Sequence, residues 1–182
     1  MIHSTALIDP GARLHESVSV GAYSIIGNDV EIGENTIIGP HCVITGPCRI
    51  GKNNRVYSHA ALGGDPQDKK FAGERTELVI GHRNSIFEFT TVSRGTGDGG
   101  GLTRIGDHNM LLVGCHIGHD AIVGNHVVFT NGAMAAGHTH VGDRAILGAM
   151  VGIHQFAREV RCEELDQIVH IAAQEGTAAE AD

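Results

Sequence analysis

Thirteen of the 182 residues are histidine, and four of them, His116, His119, His138 and His154, fall close together in the second half of the chain. Histidine is the side chain best matched to proton transfer near neutral pH. Asp120 follows His119 directly and could orient its ring and stabilise the protonated form, as a carboxylate does for a general base. Gly137 lies 18 residues beyond His119, and Gln155 a further 18 beyond that. If one circuit of the chain takes 18 residues, these three share a corner, and an exposed Gly137 N–H could receive a developing oxyanion. No serine or cysteine nucleophile with a partnered base accompanies them. The set suits acyl transfer to an acceptor hydroxyl without a covalent enzyme intermediate, and no cofactor is expected. His3, His15, His41, His82, His108 and His126 read as merely solvated corner histidines.

The elements that must position these groups come from a six-residue repeat. Stepping by six from Ile8 gives Leu14, Val20, Ile26, Ile32, Ile38, Ile44, Ile50, Val56 and Leu62, every one aliphatic. The register returns at Ile80, Ile86 and Val92, and again from Ile105 to Ile153, for 22 hexads in all. A helix cannot hold this pattern, because six residues at about 100° each would march the apolar positions around the cylinder. A short strand followed by a corner can: the aliphatic points inward, and small residues such as Ser24, Val30, Thr36 and Cys42 fill the next corner. Glycines after the aliphatic, among them Gly21, Gly27, Gly33, Gly39, Gly51 and Gly63, are expected to supply unusual backbone angles there. Three hexads then close one triangular 18-residue coil, and seven coils stack through parallel strands.

Function should sit where the repeat is interrupted or where polar residues recur in columns. The interruptions run from Gly64 to Val79 and from Arg94 to Arg104, and loops ejected from a rigid solenoid often carry binding groups. Gly99-Gly100-Gly101 is no phosphate loop, since no Lys-Ser/Thr and no helix follow it. The organisation is therefore a β-helix over residues 1–158 and a tail over 159–182. Glu163 to Gln174 is expected to form a short helix capping the open end, with a frayed terminus after it.

Composition excludes several classes. Lys and Arg number 13 against 21 Asp and Glu, a net charge of −8, the wrong sign for nucleic acid. No export signal and no apolar run long enough to span a bilayer is visible. The cysteines Cys42, Cys48, Cys115 and Cys162 lack paired spacing and read as buried thiols of a reducing compartment, so a cytoplasmic protein is expected.

Particular motifs carry a family resemblance. His116-Ile117-Gly118-His119-Asp120, Ala136-Gly137-His138 and Ile153-His154-Gln155-Phe156 resemble the UDP-N-acetylglucosamine O-acyltransferases, which open lipid A biosynthesis. The loop Gln67-Asp68-Lys69-Lys70-Phe71-Ala72-Gly73-Glu74 is similar too, as are Arg94-Gly95-Thr96 and Gly99 to Thr103, and the likeness spans about residues 2 to 156. The resemblance implies a left-handed parallel β-helix, a homotrimer with sites at its subunit interfaces, and no metal. The implied reaction moves an (R)-3-hydroxyacyl chain from acyl carrier protein to the 3-hydroxyl of UDP-GlcNAc. His119 is then the general base, Asp120 its orienting carboxylate and the Gly137 N–H the oxyanion donor. Gln67, Asp68, Lys70, His116, His138, His154 and Gln155 would contact the sugar nucleotide or the acyl donor.

Two departures from the family pattern stand out. Ser93 replaces the histidine that usually precedes Arg-Gly-Thr. The tail from Glu159 to Asp182 matches neither the later coils that set acyl length nor the basic helical domain of the family. With Arg161 as the one Lys or Arg there, among six acidic residues and the terminal Asp182, a weakened docking surface for the acidic carrier is expected. Three alternatives stay open: a hexapeptide acyltransferase with an amine acceptor or CoA donor, a non-catalytic homologue that trimerises and binds nucleotide, and a zinc-dependent carbonic anhydrase. The last needs a histidine five residues past the corner histidine, where this chain has Gly124.

Overall fold

Each hexad becomes one strand. The computed structural model describes residues 1–158, and over them 22 strands run from β1 (Leu7–Ile8) to β22 (Gly152–Ile153). Every strand carries one apolar hexad residue turned inward, and Ile26, Ile44, Leu62, Ile86, Leu111, Ile117 and Phe129 are all sealed from solvent. Strands of two residues have no stability of their own, so the fold is held by stacking. All pairing is parallel, and each strand pairs with those three before and three after it, giving sheets of eight, seven and seven strands. Leu7 pairs with Ile25, Arg13 with Glu31 and Ser19 with Ile37, which fixes the circuit at 18 residues. The architecture is a triangular, left-handed parallel β-helix. No helix among the described residues is long and apolar enough to cross a membrane.

The small corner residues are buried as their spacing predicts: Val18, Ser24, Val30, Thr36, Cys42, Cys48 and Ala60. Those that are polar find partners, as burial requires. The Ser24 hydroxyl donates to Gly39 O at 2.7 Å and accepts from Cys42 N at 3.0 Å. Higher up, Asn54, Asn84 and Asn109 form a ladder: Asn54 Oδ1 accepts from Asn84 N at 2.9 Å, and Asn84 Oδ1 from Asn109 N at 2.8 Å. Burial pushes the Cys48 thiol up to about 12 and the Cys115 thiol to about 11.

The corners correct one expectation. Of the six named glycines only Gly63 has a positive φ, 77°. The others serve close approach of successive coils: a Cβ on Gly33 would lie 2.9 Å from the Gly51 carbonyl carbon, and one on Gly51 2.5 Å from Gly81 O. The left-handed conformation falls instead on the third residue after the aliphatic, whatever its type, as at Tyr23 (58°), Asn35 (56°), His59 (63°) and Asp120 (59°). It belongs to the winding and marks no special strain at Asp120. Side chains leaving these corners stack, so several histidines expected to be simply solvated are ring-on-ring. His41 lies between Tyr23 and His59 at 5.2 and 5.0 Å, and His108 lies 4.8 Å from His126.

The two ejected loops are shorter than the sequence interruptions. The first spans 65–76 and the second 94–101, because β11 (Glu77–Ile80) and β14 (Leu102–Ile105) pair residue for residue and extend the sheet. The loops brace one another: Glu74 Oε1 accepts from Gly97 N and Oε2 from Ala72 N, both at 2.9 Å. These backbone donors, Gly97 first, hold the Glu74 carboxyl below its ordinary range. Arg94 at the root of the second loop reaches Asp65 at 2.5 Å and lies 5.3 Å above the Phe71 ring. The expected cap helix, the tail over 159–182 and Cys162 lie outside the described residues.

Candidate active site

Stacking of coils assembles the histidines. His119 and Asp120 form the corner after β16 (His116–Ile117), Gly137 and His138 the corner after β19 (Met134–Ala135), and His154 to Phe156 the corner after β22. Backbone bonds tie these corners in register, with His138 N donating to His119 O at 2.9 Å and Phe156 N to Gly137 O at 3.2 Å. The column of residues 119, 137 and 155 therefore exists, and Gly137 is what makes room in it. A Cβ there would sit 2.7 Å from both Cε1 and Nε2 of the His119 ring. Among the described residues the Gly137 N–H has no acceptor.

His119 and Asp120 are 7% and 5% exposed. The His119 Nδ1 and Asp120 Oδ2 are 2.7 Å apart. Thr96 N donates to Asp120 Oδ1 at 2.8 Å and the Thr96 hydroxyl to Oδ2 at 2.6 Å. Donors on both oxygens suit an ionised carboxylate, which accepts only, so the third donor is His119 Nδ1–H. Nε2 then keeps its lone pair, directed at the space beside Gly137. A ring held in that tautomer can take a proton from an acceptor hydroxyl.

His138 stands edge-on to His119 with centroids 5.0 Å apart, and stacks on Phe156 at 4.6 Å. Its Nε2 is 3.8 Å from Asp120 Oδ2. His116 Nδ1 lies 2.8 Å from the Thr91 hydroxyl, and burial, followed by the charge of nearby His119, keeps its imidazole below the ordinary range. A cleft of about 580 Å³ opens over this column, lined by Gln67, Ser93, His116, His119, Gly137, His154 and Gln155 among others. Six residues selected from sequence thus face one space, with Asp120 and His138 behind them. Asp68 and Lys70 do not join it within one chain. They line a separate depression between the loops with Phe71 and Glu74, where Lys70 Nζ is 3.8 Å from Asp98.

His119, Asp120 and His138 are the described residues whose ligand atoms converge closely enough to suggest an ion, all within 4.8 Å. The fit is poor. Asp120 already accepts three hydrogen bonds, and its Oδ2 sits at hydrogen-bond distance from Nδ1, too close for both to bind one ion at about 2 Å with tetrahedral angles.

Sequence spacing missed two groups. Thr96 closes over Asp120 from the second loop, and the Thr103 hydroxyl accepts from Asp120 N at 2.8 Å. The signal available was a Thr followed by a run of glycines: a Cβ on Gly99 would collide with the Asp120 carboxylate, so only a bare backbone lets the loop lie so close.

This solenoid of hexad coils with a histidine–carboxylate pair on one corner is similar to hexapeptide-repeat transferases. Residues 29–64 match the family described as bacterial transferase hexapeptide (six repeats). The acyl-[acyl-carrier-protein]–UDP-N-acetylglucosamine O-acyltransferase of Stenotrophomonas maltophilia (strain R551-3) is 60% identical over 157 residues, 86% of this chain and 60% of that protein. The enzyme of the same name from Xylella fastidiosa is 58% identical over 158 residues. The structure of LpxA from Acinetobacter baumannii superposes with a TM-score of 0.86 at 48% identity, covering 86% of this chain and 61% of the other. Over the matched stretch the chain is a homologue of the UDP-N-acetylglucosamine O-acyltransferases. It spans about three-fifths of the length of these relatives.

Proposed function

We propose that the chain transfers an (R)-3-hydroxyacyl group from acyl carrier protein to the 3-hydroxyl of UDP-GlcNAc, the first step of lipid A biosynthesis. The carrying observation is the His119 ring, oriented by Asp120 and seated against the Gly137 backbone. The names of the relatives supply the donor and acceptor.

His119 Nε2 takes the proton of the sugar hydroxyl as that oxygen bonds to the thioester carbonyl carbon. The carbonyl oxygen becomes an oxyanion and accepts from the Gly137 N–H, a backbone donor fixed before reaction. Collapse of the tetrahedral intermediate breaks the C–S bond, and the His119 imidazolium returns the proton to the leaving sulfur. Asp120 stabilises the imidazolium while it exists. Gln67, His116, His138, His154 and Gln155 hold the sugar nucleotide or the acyl donor around this centre. Asp68 and Lys70 lie apart from the cleft within one chain, which fits a site completed across subunit interfaces of a homotrimer.

The test is acyl transfer by the 182-residue chain with acyl-carrier and CoA thioesters, each offered UDP-GlcNAc and its 3-amino analogue. Preference for the carrier donor and the hydroxyl acceptor is expected. Faster reaction with the amine or with CoA would reassign the chain within the class.

A further inference from the structure

We propose that Thr96 is a positioning residue that selects the tautomer and aim of His119, acting through Asp120. The assignment of His119 as base rests on the proposed function; the hydrogen-bond logic of Thr96 does not. Asp120 Oδ2 has two imidazoles within reach, His119 Nδ1 at 2.7 Å and His138 Nε2 at 3.8 Å. Left to itself, a carboxylate so placed could turn toward either ring. Thr96 removes that freedom with two donors from one residue, its N–H on Oδ1 and its hydroxyl on Oδ2.

The direction of the hydroxyl is fixed in turn. Its oxygen accepts from Gly99 N at 3.1 Å, so its single proton is committed to the carboxylate. With Thr96, Asp120 and His119 all buried, water is poorly placed to replace a lost donor, and an unmet acceptor there is costly. The chain of bonds runs one way: Gly99 N–H to Thr96 hydroxyl, Thr96 hydroxyl to Asp120, Asp120 receiving Nδ1–H. Its output is an Nε2 lone pair on His119 facing the cleft. Thr96 touches neither the cleft nor any reacting atom, and Glu74 holds its loop from the other side through Gly97 N.

Thr96→Val removes the hydroxyl while keeping shape and the backbone donor, and Thr96→Ser restores the hydroxyl. The primary readout is the 15N NMR signature of the His119 ring in the full chain, assigned with His119→Gln. The wild type and Thr96→Ser should show Nδ1–H with an unprotonated Nε2, and Thr96→Val a substantial share of the Nε2–H form. In parallel, kcat for acyl transfer should fall about 10- to 100-fold in Thr96→Val, with the KM for UDP-GlcNAc within about twofold and Thr96→Ser close to wild type. Unchanged tautomer in Thr96→Val, or a Thr96→Ser variant as impaired as Thr96→Val, would overturn the proposal. A chain that transfers no acyl group at all would count against the proposed function, and the ring signature would still decide the role of Thr96.

Discussion

Replacing Gly137 with alanine puts a methyl group beside the base, where there is no room for one. The new Cβ would stand 2.7 Å from Cε1 and Nε2 of His119, against an ordinary carbon contact of about 3.5 Å or more. The ring must therefore retreat by roughly 0.8 Å. It cannot swing freely, because Nδ1 is tied at 2.7 Å to a carboxylate that Thr96 also grips. Displacement of a reacting atom by close to 1 Å costs about 100-fold, or about 2.7 kcal/mol of barrier. Gly137 has no positive φ, so alanine meets no backbone penalty, and overpacking at this edge should cost only about 1–3 kcal/mol of stability. Steady-state acyl transfer, with thermal unfolding as a control, should show kcat reduced about 100-fold in a protein that still melts cooperatively. A Gly137→Ala protein within about threefold of wild type would refute the claim that the glycine exists to seat the imidazole.

Three further outcomes are expected from the same packing. Because the folded state holds the His116 imidazole below its usual 6.5, the unfolded chain binds more protons as pH falls past that value, so stability should drop as pH falls below about 6.5; the stability of His116→Gln should depend less on pH there. The buried, raised thiols Cys42, Cys48 and Cys115 should resist alkylation in the native protein near pH 8 and react on unfolding, as mass mapping of the labelled peptides would show. Asn84→Ala should destabilise by about 1–3 kcal/mol in urea titrations, since it strands Asn109 N inside the corner ladder and leaves Asn54 Oδ1 with the Asn84 backbone N–H as its one remaining donor from that residue.

The winding was legible because its physics is local. An aliphatic every sixth residue can stay on one side only if the chain turns a corner each time, and strand after strand from Ile8 to Ile153 sits where that rule puts it. The column through His119, Gly137 and Gln155 is a matter of counting. The loops obey no such count. Glu77 to Val79 and Leu102 to Arg104 read as loop because they lie between breaks in the hexad register, yet pairing with each other makes them strand. Thr96 is invisible as a partner of Asp120 for a related reason. A contact across 24 residues depends on how the second loop folds back, which Gly99 permits sterically but no spacing announces. Glycine at the corners suggests a need for unusual backbone angles, whereas its use is mostly proximity, a distinction that shows only once the neighbouring coil is in place.

One comparison bears most directly on the chemistry: the rate at which UDP-GlcNAc is converted to its 3-O-acyl product by the wild-type chain and by His119→Ala, each given a 3-hydroxyacyl carrier-protein thioester. The prediction is measurable turnover in the first and a loss of at least about 1,000-fold in the second, with both proteins still melting cooperatively, since His119 is no part of the hydrophobic core. Comparable turnover by the two proteins would contradict it.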